Sequence, residues 1–262
     1  MIDYQDKTTL VTGAASGIGA ALAKGLAGRG ARVICADVQA EPVERIAQEI
    51  SGDALVCDLA DPAGAEQLLE HAWEIGGKID LVCSNAGIGE SVSVADTRFD
   101  ESMSRLFEVN FFAGMKLAQG YARRLSEAGE RGRLMVTASE NSLSLPSAVK
   151  AGQMAFYGAT KHALLIAMEW CRLEQEGGVL DLHVLMPGAV YTPLVSRVLP
   201  DPSLAPPELE LIMPEQCAEI ALKGMDLDLF YIPTQAHLLE DMRPRLQDIE
   251  ASLQALGVSL TY

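Results

Sequence analysis

Short apolar runs alternate with longer amphipathic segments along most of the chain. The apolar runs, rich in aliphatic and β-branched residues, predict seven strands at 7–12, 31–36, 53–57, 79–84, 132–139, 180–186 and 229–233. Helical spacing of apolar residues predicts helices near 17–29, 41–50, 62–75, 99–128, 157–176, 214–227 and 236–256. Because the strands are apolar almost throughout, helices should cover both sheet faces. The pattern therefore predicts an α/β fold with a doubly wound parallel sheet.

One segment interrupts this alternation. Residues 194–213 combine apolar side chains with four prolines, at positions 200, 202, 206 and 207. Such a segment favours a lid over a binding site, with a plain surface loop as the rival interpretation. The chain has no internal repeat or low-complexity linker, so we expect a single domain over 1–262 whose C-terminal helix and tail occupy 236–262.

Composition and charge narrow the classes of function. With 49% hydrophobic and 21% charged residues, the chain is typical of a globular protein. Its net charge of −16 argues against a nucleic-acid partner and against docking to an anionic membrane. We find no signal peptide at the start and no apolar run long enough to span a bilayer.

The cysteines and histidines do not indicate a metal site. The five cysteines are unpaired by any C-x-x-C motif, and three lie in predicted strands, so buried thiols in a reducing cytoplasm are expected. His71, His183 and His237 are scattered, with no carboxylate pairing that suggests metal binding. We interpret His162 as a surface or interface residue.

A glycine-rich turn follows the first predicted strand. The stretch TGAASGIG places Gly13, Gly17 and Gly19 between that strand and a helix, with Ser16 and Ile18 in the same turn. Such glycines let backbone N–H groups approach a pyrophosphate at the helix N-terminus.

An acidic residue ends the second predicted strand. The carboxylate of Asp37 can bind the diol of an adenosine ribose and would repel a 2′-phosphate. The sequence therefore favours NAD over NADP as the cofactor. The alternative interpretation of Asp37 is a residue that begins a helix.

A tyrosine and a lysine stand four positions apart in the stretch AFYGATK. On a helix, Tyr157 and Lys161 lie on one face, and a neighbouring positive charge lowers the pKa of a phenol. Such a pair could exchange a proton with an alcohol near neutral pH. An aromatic core residue beside a surface lysine is the plainer alternative.

Together, TGAASGIG, Tyr157 and Lys161 resemble the short-chain dehydrogenase/reductase family, whose fold is a Rossmann-type sheet. Further motifs follow in the order of that family: CDLAD, SNAG, EVN, TAS and PGAVYTP. The resemblance implies that residues of these motifs surround an NAD cofactor: Asp58, Leu59, Asn85, Ala86, Gly87, Pro187, Gly188, Val190 and Thr192. It also implies that the helices near 99–128 and 157–176 pair into homodimers or homotetramers, with burial of their apolar faces within one subunit as the alternative.

The resemblance implies a role for each catalytic residue. Tyr157 would be the general base in alcohol oxidation, and Lys161 would lower its pKa and bind the nicotinamide ribose. Ser139 would hydrogen-bond the substrate oxygen, and Asn110 would hold a water that relays protons from Lys161.

The chain departs from the family between Ser139 and Tyr157, where it has about five more residues than usual. Residues 147–153 could reshape the substrate pocket or form a harmless bulge. Ser142 could share the role of Ser139. We include Glu140, Asn141, Ser142 and Leu194 among the candidate substrate residues.

These observations predict an NAD-dependent oxidoreductase for a small-molecule secondary alcohol or ketone, bulky and fairly hydrophobic. The enzymatic alternatives are reduction of a 3-oxoacyl, steroid or sugar-type substrate. A regulator that senses NAD without turnover is the non-enzymatic alternative.

Overall fold

The structure, a computed structural model, describes residues 2–258. Residues 259–262 of the expected C-terminal tail lie outside the described residues. The predicted strands are confirmed as one parallel sheet, formed by β1 (Thr8–Thr12), β2 (Arg32–Asp37), β3 (Asp53–Val56), β4 (Leu81–Ser84), β5 (Gly132–Thr137), β6 (Leu180–Met186) and β7 (Tyr231–Pro233).

Helices cover both faces of this sheet. They are α1 (Gly17–Ala27), α2 (Ala40–Glu49), α3 (Gly64–Gly76), α4 (Glu101–Phe107), α5 (Ala113–Ala128), α6 (Ala155–Glu174), α7 (Pro193–Ser196), α8 (Pro214–Asp226) and α9 (Leu238–Ala255). No helix in the described part of the chain is long and apolar enough to cross a bilayer.

The predicted helix over 99–128 is not continuous. A π-helical turn, Glu108–Phe112, separates α4 from α5. A π turn adds one residue to the helical repeat and shifts the side chains that follow. Here it places Asn110 at its centre, with the side chain buried.

Two apolar layers hold the sheet between the helices. Leu10 and Ile34 face one layer, built with residues of α3, α5 and α6. Val11 and Cys35 face the other, built with residues of α1, α2 and α8. Alternate residues of a strand point to opposite faces, and both faces are covered, which explains why the strands are apolar throughout.

The strand order, β3-β2-β1-β4-β5-β6-β7, places the functional edge of the sheet. The chain builds outward in one direction from β1 to β3, then returns and builds outward in the other from β4. Ligands of such sheets bind at the carboxyl ends of the strands where this reversal occurs. The expected site is therefore the crevice beyond β1 and β4.

Segment 194–213 contains most of the short helix α7 and two 3₁₀ turns, Pro202–Leu204 and Pro207–Leu209, joined by irregular stretches. Its far end is joined to the segment after β6 by a bridge between Val190 and Ile212. The extra residues after Ser139 form a 3₁₀ helix, Ser147–Gly152.

Candidate active site

A cavity of about 360 Å³ opens at the carboxyl ends of the strands. Most residues predicted for the cofactor and the chemistry line it: Gly13, Ser16, Gly17, Ile18, Asp37, Asp58, Leu59, Asn85, Ala86, Gly87, Ser139, Tyr157, Lys161, Pro187, Gly188, Val190, Thr192 and Leu194. The structure thus brings together residues from six strand ends, those of β1 to β6.

The glycine turn needs glycine for two physical reasons. Gly13 and Gly17 have positive φ angles of 68° and 54°. A Cβ on Gly13 would lie 2.9 Å from the Ala86 Cα, and one on Gly19 would lie 2.1 Å from the Gly13 carbonyl oxygen. Gly19 therefore packs behind the cavity wall and lets α1 approach the turn.

The turn also presents the N-terminus of α1 to the cavity. Gly17 and Ile18 are the first residues of this helix, and both line the cavity. The positive end of the helix dipole therefore faces it. This arrangement of bare backbone and helix N-terminus fits the pyrophosphate of a dinucleotide.

Asp37 is held rigidly at the end of β2. Its carboxylate accepts hydrogen bonds from the backbone N–H groups of Ala15, at 3.1 Å, and Gln39, at 3.0 Å. One of these donors belongs to the glycine turn, so the carboxylate and the turn are fixed relative to each other.

Asp58 has a partner that the sequence motifs did not reveal. Arg105, on α4, donates to both carboxylate oxygens, at 3.1 and 3.3 Å. A hydrogen bond from the Ala60 N–H, helped by Arg105, holds the pKa of Asp58 below its ordinary value. Arg105 also lines the cavity. No local motif could show this contact, because the two residues lie 47 positions apart.

The Asn85 side chain connects the ends of neighbouring strands at the base of the cavity. Its Nδ2 donates to the Thr12 carbonyl oxygen at 3.1 Å, and its Oδ1 accepts from the Thr137 hydroxyl at 3.1 Å. The side chain therefore joins the ends of β1, β4 and β5.

Lys161 lies buried on the same face of α6 as Tyr157. Its Nζ donates to the Thr137 carbonyl oxygen at 2.8 Å and lies 5.9 Å from the centre of the Tyr157 ring. Burial opposes the charged form and lowers the pKa of Lys161 to about 8.

The pKa of Tyr157 departs from its ordinary value in the direction opposite to the expectation. Burial raises it, the interaction with Ser139 partly offsets the rise, and the charge of Glu140 adds to it. Removing the phenolate from water is the largest cause of the rise. The expected lowering of this pKa by Lys161 stays a prediction.

The residues after Ser139 fold into a tight polar turn. The Ser139 hydroxyl accepts from the Asn141 backbone N–H at 3.2 Å, and the Ser142 hydroxyl accepts from the Ser139 backbone N–H at 3.2 Å. Ser142 and Asn141 thus shape the turn, and both side chains are buried.

Of the candidate substrate residues, Leu194 lines the cavity. Glu140 lies behind its wall, with its side chain paired to His237.

Asn110 ties two elements together beneath the cavity. Its Oδ1 accepts from the Ile88 N–H at 2.8 Å, and its Nδ2 donates to the Ile88 carbonyl oxygen at 2.8 Å and to the Thr160 hydroxyl at 3.2 Å. The amide thereby fixes the loop after β4 against α6. Its expected role in holding a water stays a prediction.

Comparisons with known proteins agree with this geometry. The profile of the family described as short chain dehydrogenase matches residues 7–203. A 1-deoxy-11-beta-hydroxypentalenate dehydrogenase from Streptomyces avermitilis is 36% identical over 251 residues, which cover 93% of this chain and 88% of that protein.

Solved structures share the fold. A short-chain dehydrogenase/reductase from Burkholderia phymatum in complex with NAD matches with a TM-score of 0.82 at 24% identity, over 96% of this chain and 97% of that chain. A short-chain dehydrogenase from Sphingobium yanoikuyae in complex with NADPH matches with a TM-score of 0.77 at 25% identity, over 98% and 96%. The protein belongs to the short-chain dehydrogenase/reductase family and is an oxidoreductase with an NAD(P)-binding Rossmann fold.

Proposed function

We propose that the protein oxidises a secondary alcohol, or reduces the corresponding ketone, with NAD(H) as the cofactor and Tyr157 as the general acid/base. The observation that carries this proposal is the placement of Ser139, Tyr157 and Lys161 on the same cavity as the glycine turn and Asp37. Proton-transfer groups and a dinucleotide cradle on one cavity are what hydride transfer to or from a carbon bearing oxygen requires.

The chain's own residues would divide the work. The glycine turn would hold the pyrophosphate and Asp37 the adenosine ribose, while Lys161 would bind the nicotinamide ribose. The bound nicotinamide supplies the acceptor or donor of hydride. Ser139 would bind the substrate oxygen, and Tyr157 would take the alcohol proton during oxidation. Because burial raises the pKa of Tyr157, oxidation should speed up as the pH rises.

The preference for NAD is supported by charge. The two solved neighbours were bound to NAD in one case and NADPH in the other, so the fold alone does not choose. Asp37 is a fixed carboxylate at the tip of β2, and Val38 and Gln39 follow it. A 2′-phosphate there would meet a negative charge, which disfavours NADP.

A bulky, hydrophobic substrate is supported by the cavity wall and by the relative's name. Leu194 and Val195 of the proposed lid, 194–213, line the cavity together with Ile88. The Streptomyces avermitilis relative acts on a hydroxypentalenate, a secondary alcohol. Substrates of the 3-oxoacyl, steroid or sugar type are the alternatives within the same chemistry.

The test follows nicotinamide absorbance with NAD⁺ and a panel of secondary alcohols from small aliphatic to polycyclic. With a substrate that is turned over, Tyr157→Phe should lower kcat by at least ~100-fold and leave NADH binding within about twofold. Full activity of Tyr157→Phe would exclude Tyr157 as the proton donor. Tight NADH binding without turnover on any alcohol or ketone would support the NAD-sensing alternative.

An oligomer is supported by an exposed apolar stripe on α6. Ile166, Trp170 and Leu173 are 53, 61 and 63% exposed and recur at helical spacing. A stripe of this size facing water is typical of an association surface. We propose a homodimer or homotetramer that buries it. Light scattering should show a multimer that Trp170→Glu dissociates, and a monomeric unaltered protein would exclude this proposal.

All five thiols are free, as in a protein of the reducing cytoplasm, which is the compartment we propose.

A further inference from the structure

One face of the C-terminal helix contacts the turn that carries Ser139. His237 stands immediately before α9, and Asp241 and Arg245 follow at intervals of four, which places the three residues on one face. His237 Nε2 lies 2.8 Å from Glu140 Oε2. Asp241 accepts from the Ser147 N–H at 3.1 Å, and Arg245 donates to the Leu143 carbonyl oxygen at 2.9 Å.

Glu140 brings a carboxylate close to the proposed reaction centre. It follows Ser139 directly and is 5% exposed. A Cβ on Gly188 would lie 2.6 Å from its Oε2, so the carboxylate rests against the backbone of the segment after β6. Burial raises the pKa of Glu140, and the hydrogen bond with His237 opposes that rise. A buried carboxylate needs such a partner to stay ionised.

His237 lies between two carboxylates. Besides Glu140, Glu210 at the far end of segment 194–213 places its Oε2 3.2 Å from His237 Nδ1, poorly aligned for a hydrogen bond but close enough for an ionic contact. Burial works against the imidazolium, but the two carboxylates outweigh it and raise the pKa of His237. The charged group on the same helix that affects Glu140 is Asp241, which is also acidic.

We propose that His237 is a positioning residue of the reaction. As a cation it offsets the charge of Glu140 and ties segment 194–213 to the Ser139 turn through Glu210. The helix of Tyr157 packs against that turn, since a Cβ on Gly158 would lie 3.9 Å from the Asn141 carbonyl oxygen, so the charge of Glu140 acts on the Tyr157 phenol. This inference rests on the proposed role of Tyr157. Neither Glu140 nor His237 has to touch the substrate or the cofactor.

Substituting glutamine for His237 separates charge from hydrogen bonding, because the glutamine amide still offers an N–H donor to Glu140. The glutamine N–H keeps Glu140 hydrogen-bonded and ionised, and without the cation its charge opposes the phenolate of Tyr157. The acid limb of kcat for alcohol oxidation should then move to higher pH by about one unit. Adding Glu140→Gln should return the limb to its original position. His71→Gln, on the exposed face of α3, is the matched control and should leave the profile unchanged.

A second readout separates this inference from the proposed function. Tyrosine labelled with ¹³C at Cζ reports the pKa of Tyr157 by NMR without turnover, with Tyr157→Phe to assign its signal. The titration should move to higher pH in His237→Gln and to lower pH in Glu140→Gln. If the unaltered protein turns over no alcohol, the proposed function fails while this titration still tests the coupling.

Two results would overturn the inference. One is a Tyr157 titration in His237→Gln that overlays that of the unaltered protein. The other is a displacement that persists in the double variant, because its origin would then not be Glu140. If His237→Gln does not fold, Glu140→Gln alone decides, since an unmoved titration in that variant also excludes the coupling.

Discussion

The two ends of the cavity are built in different ways. At the cofactor end, the glycine turn contributes bare backbone to the wall, and its residues, such as Gly13 and Gly17, are neighbours in sequence. At the substrate end, side chains from distant parts of the chain support the wall from behind: Glu140, Gln235 and His237. Close approach of backbone atoms constrains the glycine turn of the first end, whereas polar contacts hold the second end, so the two should respond differently to substitution.

Gln235 is an example of a side chain that holds the substrate end by polar contacts. Its side chain accepts from the Gly188 N–H at 2.8 Å and donates to the carbonyl oxygens of Ala189, at 3.0 Å, and Glu210, at 3.3 Å. One buried amide thus holds the segment after β6 against the far end of segment 194–213.

The largest effect is expected at Lys161, where the two ends meet. Burial lowers its pKa to about 8 from an ordinary value of 10.5. Between these pH values the unfolded chain binds more protons than the folded one, so this group makes the free energy of unfolding rise with pH. In Lys161→Met that rise should shrink by about 3 kcal/mol. Urea unfolding at intervals from pH 7 to 10.5 measures it, and parallel profiles of the two proteins would contradict the burial of a charged lysine.

The steric requirement at the cofactor end can be tested with a matched pair of glycines. Gly13 and Gly129 have nearly equal φ angles, 68° and 66°, but a Cβ on Gly129 would meet nothing within 4 Å. Gly129→Ala should therefore cost about 1 kcal/mol, from backbone strain alone. Gly13→Ala should cost about 2 kcal/mol more because of the clash with Ala86.

The same pair should differ in cofactor binding. If the clash displaces the turn, Gly13→Ala should weaken NADH binding by roughly 30-fold, whereas Gly129→Ala should leave it unchanged. Calorimetric titration measures both affinities. Equal losses of NADH affinity in Gly13→Ala and Gly129→Ala would show that the close approach of Gly13 to Ala86 is not what cofactor binding requires.

At the substrate end, loss of one polar contact should lower stability and substrate affinity only moderately. Gln235→Leu leaves the Gly188 N–H to the weaker contact with the Thr234 hydroxyl, at 3.2 Å. We expect a loss of roughly 1 to 2 kcal/mol in the free energy of unfolding, with the KM for the alcohol rising more than the Kd for NADH. Gln48→Leu, on the exposed face of α2, is the control. An unchanged KM for the alcohol in Gln235→Leu would show that Gln235 does not influence substrate binding.

The smallest effect concerns the choice of cofactor. Asp37→Ala removes the fixed carboxylate, so the preference for NADH over NADPH should narrow by about tenfold. Glu41→Ala removes an exposed charge from the nearby first turn of α2 and should not change the preference. Fluorescence titrations with both cofactors provide the comparison. Equal affinities in the unaltered protein would exclude the role proposed for Asp37.

The contrast also explains what the sequence could predict. Strand periodicity and local motifs gave the sheet, the glycine turn and the four-residue spacing of Tyr157 and Lys161. Contacts between distant side chains leave no local pattern: His237 and Glu140 are 97 positions apart.

Two further features could not be predicted from local sequence patterns. The π turn at Asn110 lies within a segment whose composition predicts an ordinary helix. The direction of the Tyr157 pKa depended on burial, which spacing does not reveal.

The contacts between α9 and the Ser139 turn are the last part of the site to be synthesised. The residues that supply them, from His237 to Arg245, lie in roughly the last tenth of the chain. A ribosome releases them after every strand has been synthesised, and folding proceeds from the N-terminal side as the chain emerges. The nucleotide-binding part of the cavity can therefore form on a nascent chain in which the Ser139 turn still lacks its contacts with α9. Newly made protein should acquire cofactor affinity before it acquires activity.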